Sequence, residues 1–367
     1  MAGEVRGRRM DFLYKEFLPF SAMVCMECIN VGLNTLFKSA TLHGMSYHVF
    51  VVYAYSIAAL VLLPSPFFSS RSPSLPPLTF PLLSRIGLLG LIGSLSQILG
   101  YTGIDFSSPT LASAISNLTP AFTFILALLF RMEKVCLKRR SSQAKIIGTI
   151  VSISGAFVVT LYQGPSIIIF LKHSHSAELH LNSSSSSWVI GGMFLTAEYI
   201  LVPLWYIVQT QIMKEYPAEL TVVFYYNLTV SIIAAVVGII SEPDINAWKV
   251  SGIGLASVIC SGLFGSCLNN SVHTWALRLK GPFYVAMFKP LSIAIAVAMG
   301  TIFLGDTLHL GSLIGTTVIS IGFYTVMWGK SKEEMAVELE ELEDVGFNSK
   351  QPSEKVPLLK SIKASQV

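Results

Sequence analysis

Apolar residues run along this chain in ten long blocks, at 17–37, 46–68, 82–104, 110–130, 144–162, 188–209, 220–240, 250–272, 282–304 and 310–329. Short polar connections separate most of them. A helix needs about 20 apolar residues to cross roughly 30 Å of hydrocarbon, and the blocks are close to that length. None shows the period-two alternation of a membrane strand. The pattern predicts an all-α integral membrane protein with ten transmembrane helices. Composition agrees, since 52% of the residues are hydrophobic and 13% charged, against about 25% charged in an ordinary soluble domain.

The first block follows Arg6, Arg8 and Arg9, as a secretory signal would, but it is too long and carries Glu27, Asn30 and Asn34. It reads as a retained first helix. Lysine and arginine favour the cytoplasmic side. With the N-terminus placed there, only Lys38, Lys172 and Lys249 of the 25 basic residues fall outside, and Lys289 lies within a block. An even helix count is what keeps that bias intact. The expected order is a cytoplasmic segment (1–16), a first five-helix unit (17–162), a non-cytoplasmic Ser-rich loop (163–187), a second unit (188–329) and a cytoplasmic tail (330–367). The loop carries a glycosylation sequon at Asn182. The tail is acidic over 333–344 and holds Glu354, Leu358 and Leu359 in an acidic dileucine pattern that sorting adaptors read. Plasma membrane and vacuolar membrane both fit.

The two units resemble each other. Gly148-Thr149, Val151, Gly155 and Val159 recur at one constant offset as Gly315-Thr316, Val318, Gly322 and Val326. Glu27 and Glu198 sit at matching depths, and Glu133 and Asp306 precede the fifth and tenth blocks. Pro109 and Pro120 correspond to Pro282 and Pro290. An odd number of helices per unit inserts the second copy upside down, which predicts inverted repeats with a binding site near the midplane between them.

Polar groups in the membrane are costly and face cavities or partners. Glu27, Asn30, Asn34 and Lys38 follow spacings of three and four, and so share one helix face. They form a candidate cavity lining with Gln97, Tyr101, Asn117, Glu198, Asn227, Asn269 and Lys289. Lys289 has three open readings: pairing with Glu27 or Glu198, binding a substrate carboxylate, or snorkelling to the surface. Either carboxylate is a candidate proton carrier, because a carboxyl taken out of water holds its proton more readily.

Other classes find less support. No basic aromatic surface suggests nucleic acid. Cys25 and Cys28 lie inside the first block and read as packing residues. The histidines are scattered without metal-ligand spacing, and no nucleotide motif occurs, so neither an enzyme nor a cofactor is expected. The alternative to a carrier is a multispan channel or receptor.

Several stretches carry a family resemblance: Asn34-Thr-Leu-Phe-Lys38, Ser116-Asn-Leu-Thr-Pro120, Phe130-Arg-Met-Glu-Lys134, Ser142-Gln-Ala-Lys-Ile-Ile-Gly148, Phe288-Lys-Pro-Leu291 and Trp328-Gly-Lys330. Over residues 15–330 the chain resembles plant members of the EamA drug/metabolite transporter superfamily. The resembling group holds the walls-are-thin-related proteins and the "usually multiple acids move in and out" transporters. The resemblance implies two EamA-type repeats and transport of small solutes, amino acids or auxin and related indoles. Position 289, Asn in many members' F-N-P-L pattern, is Lys here.

Overall fold

A computed structural model describes residues 17–71, 76–107, 109–133, 138–162, 164–168, 185–299, 302 and 308–348. Asn182, Asp306, Glu354, Leu358 and Leu359 lie outside the described residues. The helices are α1 (Leu18–Leu42), α2 (Tyr47–Ser69), α3 (Phe80–Ile104, continuing to Phe106), α4 in two pieces (Pro109–Ser116 and Thr119–Leu129), α5 (Arg140–Leu161), α6 (Ser185–Glu215), α7 (Glu219–Ser241), α8 (Gly252–Lys280), α9 (Pro282–Met299) and α10 (Leu310–Asn348). Nine of them contain a stretch long and apolar enough to cross a membrane, among the described residues, and the second piece of α4 is a shorter apolar helix. The chain is a multi-pass integral membrane protein. Its only described strands are a short antiparallel pairing of Ser166–Ile168 with Leu308–His309, which ties the end of one repeat to the loop before α10.

Local chemistry explains where helices start and break. Prolines sit in the first turn of α1 and α3, where the missing N–H is no loss. The fourth block reads as one helix but is broken at Asn117-Leu118. Pro120 has no N–H for the carbonyl of Ser116, and the Thr119 hydroxyl donates to that oxygen instead, at 2.6 Å. α6 continues past its expected end at 209 to Glu215. Gln209 is buried there and donates from its side-chain amide to the Thr274 hydroxyl at 2.8 Å.

The helices pack as two inverted halves. α3 against α6 is matched by α8 against α1, and α4 against α6 by α9 against α1. α2 meets α7 and α5 meets α10, so each of these helices packs on its own counterpart. The glycines of the repeat show the inversion directly. A Cβ on Gly148 would lie 2.8 Å from the carbonyl oxygen of Gly322, and one on Gly155 would lie 2.9 Å from that of Gly315. Gly148 is the counterpart of Gly315, and Gly155 of Gly322, so the contact is reciprocal, as twofold-related surfaces require. Gly90 and Gly93 of α3 are likewise filled, by Thr229 and Tyr226, whereas Gly87 meets nothing within 4 Å and is no packing glycine.

The larger buried apolar clusters gather toward one half of the bundle's depth, while Ala40, Val49, Val52, Leu195 and Val258 are buried in the other half. Call the side on which α1 begins and α10 leaves the proximal side. Met23, Leu277, Phe283 to Phe288, Phe323 and Val326 form one cluster there. Leu82, Ile86, Leu89, Ile212, Met213, Tyr216 and Val222 form another, and Leu62, Val223 and Phe224 a third. These residues lie toward the proximal ends of their helices, and Tyr226 and Val230 extend the second cluster to the middle of α7.

Candidate functional site

The polar residues predicted from sequence separate into a connected group and a set of helix ties. The group begins on α1. Glu27 is buried and accepts a hydrogen bond from the Asn30 amide. Asn30 also donates to Asn269 Oδ1 of α8 at 3.0 Å. One turn on, His273 Nδ1 donates to the Asn269 carbonyl at 2.9 Å. Lys289 of α9 makes no ion pair among the described residues, but its charge acts on Glu27, on Glu198 and on His273. One cation therefore lies within electrostatic reach of a carboxylate from each half.

The backbone is irregular around this group. Residues 261–269 of α8 form a π-helix, a winding that frees carbonyls and recurs at functional sites. Buried Asn227 of α7 takes up one of them, donating to the Ser266 carbonyl at 3.1 Å. Pro290 sits inside α9 beside Lys289, and Pro203 inside α6 about one turn beyond Glu198. Each removes a helix hydrogen bond and loosens the local ladder.

The two carboxylates differ in surroundings. Glu27 is enclosed and hydrogen-bonded. Glu198 is half-buried and receives no side-chain hydrogen bond among the described residues. Its carboxyl rests on α3 at Gly100, where an added Cβ would stand 2.5 Å from Cδ and from both oxygens. Along α1 the polar face opens toward the distal side: Glu27 is buried, Asn30 intermediate, and Asn34 and Lys38 exposed. Lys289 is exposed too.

The other predicted residues join helices. Gln97 accepts from the Tyr47 hydroxyl at 2.9 Å and donates to the Tyr55 hydroxyl. Tyr101 stacks on Tyr47, with centroids 4.4 Å apart and planes 5° from parallel. Asn117 is 1% exposed and reaches Thr160 of α5 at 3.4 Å. A cavity of about 20 Å3 beside Tyr47, His48, Ser94 and Gln97 has room for about one water. It lies apart from Glu27 and Lys289 and is too small for an organic solute. Sequence reasoning missed Tyr47 and Gly100. The only available signal for Gly100 was its spacing of three from Gly103 on a helix that also carries Gln97.

The profile of the EamA-like transporter family matches residues 20–161 and 186–328, one copy on each half. The chain belongs to the EamA-like transporter family. Among its curated relatives, WAT1-related protein At3g28050 of Arabidopsis thaliana is 61% identical over 96% of this chain and 98% of its own length. WAT1-related protein At5g40240 of the same plant is 53% identical over 88% of this chain and 89% of its own length. A solved crystal structure aligns with a TM-score of 0.63 at 13% identity, covering 85% of this chain and 96% of the other, and shows the shared fold. In this EamA-like transporter the polar group therefore lies where two inverted family repeats meet, with Glu27 from the first and Glu198 and Lys289 from the second. Membership makes it a membrane transporter of small solutes.

Proposed function

We propose that this EamA-like transporter is a secondary carrier of small organic solutes that bear a carboxylate, amino acids or indole-like acids, working by alternating access at the cavity between its halves. The observation that carries the reading is the placement of Lys289 within electrostatic reach of both Glu27 and Glu198. A zwitterion or organic acid offers a carboxylate to the lysine. Its ammonium, or a proton in its place, goes to a carboxylate. Glu198 is the better acceptor, because it has no side-chain donor among the described residues, while Glu27 is already bonded to Asn30.

The conformation supports alternating access. The larger apolar clusters centre on the proximal half, while Asn34 and Lys38, toward the distal end of α1, are exposed. Strongly polar groups do not face lipid without cost, so their exposure is read as a cleft open on the distal side. With the termini in the cytoplasm, that state is outward-facing. The basic residues favour this orientation. The units 17–162 and 188–329 are then the moving parts, and plasma or vacuolar membrane is the place of action. Sorting by the dileucine tail and glycosylation at Asn182 belong to the same reading.

Uptake of labelled amino acids and of indole-3-acetate into proteoliposomes, at two pH values, tests it. Saturable uptake of one class, weakened by Lys289→Asn and by Glu198→Gln, supports the reading. Saturable uptake untouched by both substitutions contradicts the assignment of the site. Absence of any flux in correctly inserted protein contradicts the substrate class.

A further inference from the structure

Among the described helix glycines, Gly100 is the one whose missing side chain makes room for a charged group. The other tight glycines of α3 receive neutral partners: Gly90 meets Thr229, Gly93 meets Tyr226 and Gly103 meets Leu195. At Gly100 the neighbour is the Glu198 carboxyl, whose Cδ and two oxygens would all lie 2.5 Å from a Cβ. A Cβ cannot occupy that place without moving the carboxyl. The seam around it is tight. A Cβ on Gly191 of α6 would lie 2.9 Å from the Gly103 carbonyl oxygen; that neighbour is main chain, whereas the Glu198 carboxyl is the far end of a flexible side chain, so at Gly100 the displacement falls on the carboxyl.

We infer that Gly100 is a positioning residue for transport: it provides the seat on which the Glu198 carboxylate rests, holding it on the α3 wall and within reach of the Lys289 charge. The inference rests on the reading of Glu198 as a working carboxylate. Lys289 from α9 acts on Glu198, and the Glu198 charge in turn reaches Tyr47 of α2 and the adjacent Tyr199. α3 itself brings a bare backbone to Glu198. A side chain at position 100 pushes the carboxylate off this wall, and an error of about 1 Å at a working group costs up to roughly a hundredfold in rate.

The test uses full-length protein in proteoliposomes, with labelled neutral amino acids and labelled indole-3-acetate as probes. Gly100→Ala is expected to cut uptake roughly tenfold or more, by the same argument, at unchanged protein amount. Shortening the acid relieves the crowding, so Gly100→Ala with Glu198→Asp should exceed Gly100→Ala alone. Gly103→Ala, which crowds Leu195 at 2.7 Å, is the structural control and should lower protein amount without changing KM. Gly100→Ala at wild-type uptake, while Glu198→Gln is impaired, overturns the seat and leaves the working carboxylate standing. Wild-type uptake by Glu198→Gln overturns the carboxylate reading itself. If Gly100→Ala fails to accumulate, its amount becomes the readout. Recovery in the double variant upholds the seat, and no recovery overturns it.

Discussion

Gly148 of α5 and Gly322 of α10 touch backbone to backbone: a Cβ on Gly322 would lie 2.7 Å from the Gly148 carbonyl oxygen and 2.4 Å from the Ser152 amide nitrogen. Small residues at such a crossing let two membrane helices approach closely and gain dispersion contacts. Because the two glycines come from opposite repeats, this crossing is the seam around which the halves are related.

Substitution at the seam should therefore cost stability. Gly322→Val puts new methyl groups against main-chain atoms that cannot give way, and overpacking of this kind costs about 1–3 kcal/mol or more. Gly32, with nothing within 4 Å of its Cβ position, should accept alanine with little loss. Thermal unfolding in detergent distinguishes the two, and an unaffected Gly322→Val would remove the seam from the account.

A buried ion network closes the proximal end of the same seam. Lys145 of α5 has a side chain 0% exposed and pairs with Glu133 at 3.0 Å and with Glu333 of α10 at 2.5 Å. Lys330 of α10 pairs with Glu133 at 2.8 Å. Removing one partner of a buried pair leaves an uncompensated charge and costs about 3–5 kcal/mol. Glu133→Gln takes its carboxylate from Lys330 and one of two from Lys145, and should be more damaging than Glu333→Gln, which leaves both lysines on Glu133 and whose side chain is 20% exposed. Equal midpoints for the two variants would show that the network does not act as described.

The network also sets an acid limit. Burial pushes the Glu133 carboxyl up, but the neighbouring Lys330 and Lys145 ammonium groups outweigh it and hold the group below its ordinary range. A carboxyl depressed in the folded state contributes stability that is fully present above its unfolded value, about 4.3, and is lost as pH falls through the folded value. The melting temperature of the wild type should gain nothing further from Glu133 above about pH 5. It should lose this contribution below about pH 4. Glu133→Gln should lack that part of the acid limb, and an identical acid limb in the variant would contradict the assignment.

Asn30 offers a further test within the site. It bridges Glu27 on α1 and Asn269 on α8, so Asn30→Ala leaves the Glu27 carboxyl without its amide partner. Uptake should fall severalfold with protein amount nearly unchanged. Asn117→Ala, at the α4 break and tied to Thr160, should instead reduce the amount of folded protein. The reverse pattern would exchange their roles.

Much of this architecture is legible in the amino-acid sequence. Ten apolar blocks and the repeated glycine and valine pattern point to an inverted pair of five-helix units, because length and packing leave a strong mark on sequence. The spacing of Glu27, Asn30 and Asn34 revealed a polar helix face. Gln97, Asn117 and Asn227 show the limit of that reasoning. A polar side chain that joins two helices and one that lines a cavity carry the same signature in sequence, and only the partner atom tells them apart. The break at Asn117-Leu118, the π-helix at 261–269 and the seat at Gly100 depend on contacts between distant segments, which hydropathy does not encode.

The central claim is that a site between two inverted halves is exposed to one side at a time. Counterflow tests it most directly: proteoliposomes preloaded with unlabelled amino acids, or with indole-3-acetate, are diluted into trace label of the same solute. A carrier working by alternating access predicts a transient accumulation of label above equilibrium, saturable and abolished in Lys289→Asn. Monotonic equilibration without overshoot, for a solute the protein demonstrably conducts, would contradict the account and establish a channel.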